Sequence, residues 1–282
     1  MNKTALVTGS SGFVGRHLVK RLEQDGWQVT PMDIKNDIHY SYHDLLVELK
    51  VHPVWSYDAV FHLAANIEDI NQRMHSNHSA YKDIELDLCV ADFCRRTSPQ
   101  VLVWPTSCAV DNPEDPYAWV KLTGEKIFGA LAKSGQRVVM LRPFSGYGVD
   151  QALSYPFPAI LQRALNKENP LTVWGHGQQV RDWIHVDDLV NAFMVGLENF
   201  PSGVPIDIGT GIGTSVTSLA RMIADAVGYK PNIKALSDKA TSSNRRVADI
   251  SEATSYGFSA QVHLWDGIRA AVKAKQEQQL EV

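Results

Sequence analysis

The sequence predicts an α/β protein built on a doubly wound parallel sheet. Two observations carry that expectation. Over the first two-thirds of the 282-residue chain, short β-branched runs alternate with amphipathic stretches, and repeated strand–helix–strand order gives a parallel sheet with helices on both faces. The strand-like runs are also continuously apolar rather than alternating, as strands buried on both sides are.

In chain order, residues 4–8 (TALVT) read as a buried strand, and a helical pattern follows with Phe13, Val14, Leu18 and Leu22 on one face. Residues 27–32 form a second strand and residues 59–63 (AVFHL) a later one. Residues 81–96 read as a helix that places Ile84, Leu88, Ala91 and Cys94 on one face. Residues 100–104 and 137–141 are further strands, and a helix from Pro116 to about Lys133 lies between them. After Arg142-Pro143 the texture changes: Pro143, Pro156, Pro158, Pro170, Pro201 and Pro205 punctuate shorter elements, and glycines gather at 175–177 and 209–213. The reading is a domain over residues 1–150 and a smaller C-terminal substrate-binding lobe over 151–282, interleaved with the last core elements. From Ala270 onward the chain is a polar helix end.

Composition narrows the function classes. Apolar residues make up 44% and charged residues 21%, which excludes disordered and collagen-like architectures. Lys and Arg number 27 against 31 Asp and Glu, a net charge of −4 that opposes binding to nucleic acid or an anionic membrane. No apolar run approaches the roughly 18 residues that a membrane span requires. The opening MNKT leads straight into the first strand, so no signal peptide is expected. Three cysteines, Cys89, Cys94 and Cys108, are too few for a disulfide framework. These features point to a cytoplasmic protein. Lone histidine pairs at helix-like spacing (His39 with His43, His75 with His78) have no converging cysteine or carboxylate set, so no metal site is expected.

The chemistry concentrates in two motifs. Strand one ends in TGSSGFVG over residues 8–15, with Gly9, Gly12 and Gly15 at Gly-x-x-Gly-x-x-Gly spacing where a helix begins. Glycines let the backbone approach a pyrophosphate, and a helix N-terminus offers unpaired N–H groups and partial positive charge. Eighteen residues after Gly15, Asp33 ends the second strand. An acid there accepts hydrogen bonds from an adenosine ribose and repels a 2′-phosphate, so the cofactor expected is NAD rather than NADP, with Lys35 close by to soften the preference. The second motif is Tyr117-Ala118-Trp119-Val120-Lys121, whose i,i+4 spacing puts phenol and ammonium on one helix face. A fixed cation stabilises phenolate and makes tyrosine a usable base. Ten residues upstream, Thr106-Ser107 brings hydroxyls that complete a proton relay.

With these residues in view, the sequence resembles the extended short-chain dehydrogenase/reductases, the nucleotide-sugar epimerases and dehydratases with a Rossmann-type dinucleotide domain. The likeness runs on through LRPFSGYG at 141–148, RDWIHVDD at 181–188, IGTG at 208–211 and RRVADIS at 245–251. The resemblance implies Ser107, Tyr117 and Lys121 as catalytic residues. It implies Gly9, Ser11, Gly12, Phe13, Val14, Gly15, Asp33, Asp44, Leu45, Leu63, Ala64, Ala65, Tyr117, Lys121 and Pro143 around the cofactor, with Asp44 at the adenine. Cys108, Ser145, Arg181, Arg246 and Asp249 are implied around the substrate, Arg181 on its diphosphate, with Arg245 an alternative to Arg246. A homodimer built on the two helices 81–96 and 116–133 is also implied.

Within that family, dehydratases and decarboxylases carry an acidic residue just after the catalytic serine or threonine, where this chain has Cys108-Ala109. That favours 4-epimerisation, most like the UDP-glucose and UDP-N-acetylglucosamine 4-epimerases. Cys108 keeps a GDP-fucose-synthase-like reductase as a rival, because that enzyme has a functional cysteine after its serine; Asp33 and the lack of a histidine between Arg142 and Asn169 oppose it. A non-catalytic NAD-binding sensor is the third reading. The chain departs from the family in a Ser107–Tyr117 interval of ten positions, in Asp111-Asn112 where Tyr-Gly is usual, and in Ser145 and Asp83 where asparagines are usual.

Overall fold

A computed structural model describes residues 2–34, 42–51, 56–66, 78–112, 114–237 and 243–280. Its elements begin β1 (Thr4–Thr8), α1 (Phe13–Gln24), β2 (Gln28–Met32), α2 (Tyr42–Val51), β3 (Ala59–His62) and α3 (His78–Thr97). There follow β4 (Val101–Pro105), a short 3₁₀ turn (Cys108–Asp111), α4 (Pro116–Lys133), β5 (Val138–Pro143) and β6 (Ser145–Tyr147). The chain continues through α5 (Pro156–Leu165), β7 (Leu171–Trp174), β8 (Val180–His185), α6 (Val186–Asn199), β9 (Pro205–Ile208), β10 (Gly213–Ser215) and α7 (Val216–Val227). It closes with β11 (Ile233–Leu236), β12 (Arg245–Arg246), α8 (Ser251–Ser255) and α9 (Leu264–Leu280).

Six strands form the principal sheet in the order β2-β1-β3-β4-β5-β9, with β1 to β5 pairing in parallel. The fold is thus the doubly wound Rossmann type. Ala5, Leu6 and Val7 of β1 and Ala59, Val60 and Phe61 of β3 are fully buried, as strands covered on both faces must be. Helix α1 buries Gly15, Leu18 and Leu22, the i, i+3, i+7 stripe of an amphipathic helix.

Helix α3 corrects one sequence expectation. The face drawn through Ile84, Leu88, Ala91 and Cys94 is rotated: Leu88 is 53% exposed, and the buried stripe runs through Asp83, Leu86, Asp87, Val90, Phe93 and Cys94. Two acids in the stripe break the apolar periodicity that a sequence reading follows.

The chain forms two compact units. One comprises residues 1–143, 190–207 and 252–258; the other comprises 144–189, 208–251 and 259–282. The first has its core around Leu6, Phe93, Trp104 and Phe128. In the second, β8 pairs with β6 and β12 in parallel and with β10 antiparallel, and the core gathers Tyr147, Phe157, Trp183, Leu219 and Ile223. No described helix is long and apolar enough to cross a membrane.

Candidate active site

Strand order reverses between β1 and β3, because β2 lies on the other side of β1. Open α/β sheets bind ligands beyond the carboxyl ends of the strands at such a switch point. Here those ends carry the 9–15 turn and residues 63–65. Gly9 adopts φ +71°, and a Cβ on it would lie 2.5 Å from Ala64 N; a Cβ on Gly15 would lie 2.0 Å from Gly9 O. Only glycine fits either place. The turn is tied by Gly9 N–H to Met32 O (2.8 Å) and Gly12 N–H to Gly9 O (3.0 Å).

Gly12 is the N-cap of α1, with no side-chain cap and no acid in the first helical turn. Phe13, Val14 and Gly15 therefore open the helix with no acid of its own facing the dipole, an arrangement suited to a pyrophosphate. Asp33, buried at the end of β2, accepts the Ser11 N–H at 2.9 Å and so fixes the turn against the second strand. The cradle fits a dinucleotide: its glycines leave room for a close backbone approach, and its helix end attracts phosphate.

The proton-transfer candidates sit just after β4 and on α4. Ser107 caps the 3₁₀ turn, its Oγ accepting the Ala109 N–H at 3.1 Å. Helix α4 starts at Pro116, with Asp115 as N-cap accepting the Tyr117 N–H at 3.0 Å, so the cap sets where the helix phase begins. That phase puts Lys121 one turn beyond Tyr117. The Lys121 ammonium lies 5.7 Å from the Tyr117 ring centre and 4.8 Å from that of Trp104, and it donates to Pro105 O at 3.1 Å. Lys121 is buried at 5% exposure, desolvated beside the phenol it is expected to serve.

A network absent from the sequence reading joins these elements. Glu125 Oε1 accepts from the Thr106 hydroxyl (2.7 Å) and Arg142 Nε (2.8 Å), and Oε2 accepts from Arg142 Nη2 (2.7 Å). The carboxylate raises the Arg142 pKa, mainly through its hydrogen bonds. Thus β4, which leads into Ser107, α4, which carries Tyr117 and Lys121, and β5, which ends at Pro143, meet at one side chain. Glu125 falls four residues after Lys121, and that spacing was the available signal.

Leu63, Ala64 and Ala65 are half-buried at the end of β3; Asp44 stands in the first turn of α2, and Leu45 is buried in the core of the first unit. Cys108 is buried directly after Ser107. In the second unit, Ser145 pairs with Trp183, and Arg181 pairs in register with Arg246 on the parallel strand beside it. Register partners on parallel strands share a face, so two cations stand side by side. Arg181 Nη1 donates to Val180 O at 2.8 Å. Arg246 Nε and Nη2 are buried and have no hydrogen-bond partner among the described residues, while Arg245 is exposed. Asp249 is exposed, and its Oδ1 accepts the Ser251 hydroxyl (2.6 Å) and N–H (3.0 Å), bonds that hold its pKa down and cap the start of α8.

Lys35, His39 and His75 lie outside the described residues, as do the side chains of His43 and His78. Among the described residues no group of three or more His, Cys, Asp or Glu is arranged to hold a metal ion.

The model of the NAD dependent epimerase/dehydratase family matches residues 5–209. A Bacillus subtilis protein named as an uncharacterized UDP-glucose epimerase, YtcB, is 29% identical, covering 88% of this chain and 90% of its own. GDP-L-fucose synthase 1 of Arabidopsis thaliana is 24% identical over 93% of this chain and 90% of its own. The crystal structure of a Thermotoga maritima UDP-glucose 4-epimerase with UDP-glucose superposes with TM-score 0.87 at 22% identity, covering 98% of this chain and 99% of that one, which establishes the shared fold.

Proposed function

The chain belongs to the NAD dependent epimerase/dehydratase family, and we propose that within it the protein is a nucleotide-sugar 4-epimerase. The observation that carries this reading is the run after Ser107. Cys108, Ala109 and Val110 are all buried, so the positions where an elimination needs a carboxylate hold apolar or thiol side chains. Epimerisation at C4 needs one group that takes a hydroxyl proton and returns it, and Tyr117 suffices.

In this reading the 9–15 turn and the N-terminus of α1 hold the pyrophosphate, Asp33 the adenosine ribose, and Lys121 the nicotinamide ribose. Asp44, residues 63–65 and Pro143 form the remaining cofactor contacts, whereas Leu45, expected beside them, turns its side chain into the core of the first unit and is left out. NAD supplies the two-electron chemistry when bound, accepting a hydride from the sugar and returning it. Tyr117 removes the proton of the 4-hydroxyl as the 4-keto sugar forms and gives it back after the sugar has turned over. Lys121 offsets the phenolate charge. Ser107, whose Oγ already accepts from Ala109, directs its hydrogen to the sugar oxygen.

Arg181 and Arg246 are the diphosphate contacts, because the strand register sets the two guanidinium groups side by side, where a diphosphate accepts charge-assisted hydrogen bonds from both. Arg246, with its inward-turned and unpaired nitrogens, is favoured over Arg245. Ser145 and Cys108 are read as pocket walls, and Asp249 as a turn cap that shapes the strand bearing Arg246. The first unit is read as the cofactor domain and the second as the substrate lobe. The reading also includes a cytoplasmic homodimer on α3 and α4, where Tyr81, Leu88 and Trp119 expose apolar surface.

The purified protein, carrying NAD, is expected to interconvert UDP-glucose and UDP-galactose, or their N-acetylated counterparts, with no net absorbance change at 340 nm. Tyr117→Phe should lower the rate by roughly 10²–10⁴-fold with NAD retained. A net change at 340 nm on adding a nucleotide sugar would move the assignment to the reductase reading that Cys108 keeps open. Undiminished turnover by Tyr117→Phe would remove Tyr117 as the base.

A further inference from the structure

Beneath the glycine turn, a chain of hydrogen bonds runs inward from the cofactor cradle. Ala64 N–H reaches Thr8 Oγ1 at 3.3 Å, Thr8 Oγ1 lies 2.7 Å from His62 Nδ1, and His62 Nε2 lies 3.0 Å from Asp87 Oδ1. The His62 side chain is fully buried and that of Asp87 is 6% exposed. We propose that Asp87, acting through His62 and Thr8, is a positioning residue that fixes residues 63–65 against the Gly9 turn and so sets the gap in which NAD lies.

The hydrogens support one arrangement. A carboxylate only accepts, so Nε2 carries the ring hydrogen. A neutral ring then offers Nδ1 as acceptor to the Thr8 hydroxyl, and the Thr8 oxygen accepts the Ala64 N–H. Every donor in the chain has its acceptor. An imidazolium would point Nδ1–H and Ala64 N–H at the same oxygen and leave the Thr8 hydrogen without this partner.

Two observations mark the arrangement as more than core packing. Asp87 Oδ2 is buried without a partner among the described residues, in a niche kept open by Gly124, whose Cβ would lie 2.7 Å from it. An unpartnered carboxylate oxygen costs stability that an apolar residue would not. One turn earlier on α3, Asp83 accepts the Asn66 N–H at 2.7 Å and Asn66 Nδ2 at 2.8 Å. Helix α3 therefore pins residues 63–66 at both ends. The pinned backbone is the one that a Cβ on Gly9 would strike at 2.5 Å, so a shift of a few tenths of an ångström alters the cradle directly.

The proposal rests on NAD binding and is independent of the sugar, so it is tested without one. In the full-length protein labelled with ¹⁵N-histidine, His62 should be neutral with its hydrogen on Nε2. Asp87→Ala should weaken NAD roughly tenfold by titration. Asp87→Asn, which keeps an acceptor oxygen for Nε2–H, should bind NAD within about twofold of the parent. A protonated or Nδ1–H ring in the parent protein overturns the proposal whatever the variants do. So does parent-like NAD affinity in Asp87→Ala, or an equal loss in Asp87→Asn, which would assign the effect to charge rather than to the chain of bonds.

Discussion

Asp83 shows how a single buried side chain couples the site to pH. Burial raises its pKa, while the bonds from Asn66 and the charge of Lys121 oppose that rise and the charge of Asp87 adds to it. A carboxyl whose folded-state pKa lies above its unfolded value is held more tightly protonated in the native state. Its contribution to stability is therefore complete below the ordinary aspartate range near 4 and is lost as pH rises through the raised value. Asp83→Asn keeps an oxygen for both Asn66 donors and cannot ionise. Thermal melts between pH 4 and 8 should show the variant with the higher midpoint at neutrality and a flatter dependence on pH; a lower midpoint at pH 7 would mean that the charge is stabilising. At this scale the sequence was informative wherever the chemistry is local to the chain. Tyr117 and Lys121 are one helical turn apart, and Gly9 and Gly15 flank one turn, so spacing revealed both motifs. His62 and Asp87 are 25 residues apart and touch only because β3 and α3 pack together, so no spacing announced them.

Among elements, the carboxylate of Glu125 governs the junction of β4, α4 and β5. It is 9% exposed and Arg142 is 29% exposed, so removing the acid strands a partly buried guanidinium. Breaking a fully buried pair costs about 3–5 kcal/mol, and the water left around Arg142 brings the expectation for Glu125→Ala to ~2–3 kcal/mol by chemical denaturation. The same substitution should lower kcat more than it raises KM, because Ser107 and Tyr117 lose their common anchor and small misplacements are costly for proton transfer. Glu125→Gln retains an acceptor for Thr106 and Arg142 Nε and should fall between. A loss of stability with kcat unchanged would make the junction purely structural. Element boundaries followed from the sequence where caps are explicit: Pro116 after Asp115 fixes the start of α4, and the helix ends at Lys133 as expected. The buried face of α3 did not follow. Its stripe contains Asp83 and Asp87, and the bonds that make burial of those acids tolerable lie on other segments.

For the whole molecule, strand order decides where the cofactor goes, and strand order is what a linear reading lacks. Continuous apolar runs indicated a two-sided parallel sheet, yet they are silent on β9 joining the edge at β5, or on residues 190–207 and 252–258 returning to the unit formed by residues 1–143. Those pairings depend on edges that exist only after earlier strands have assembled. The assembled sheet draws the cradle from segments far apart in sequence: the 9–15 turn, Asp33 at the end of β2 and residues 63–65 after β3. Ordering such segments costs conformational entropy, and a ligand that bridges them offsets that cost, because it binds only the native state. NAD at a hundredfold excess over its dissociation constant should therefore add about 2.7 kcal/mol to unfolding stability, and stripping it should lower the thermal midpoint correspondingly. Hydrogen exchange should show the added protection concentrated in residues 9–16 and 63–66. Protection spread evenly over the chain, or a midpoint indifferent to NAD, would mean that the glycine turn, preorganised by Met32 and Asp33, is already as ordered without the dinucleotide as with it.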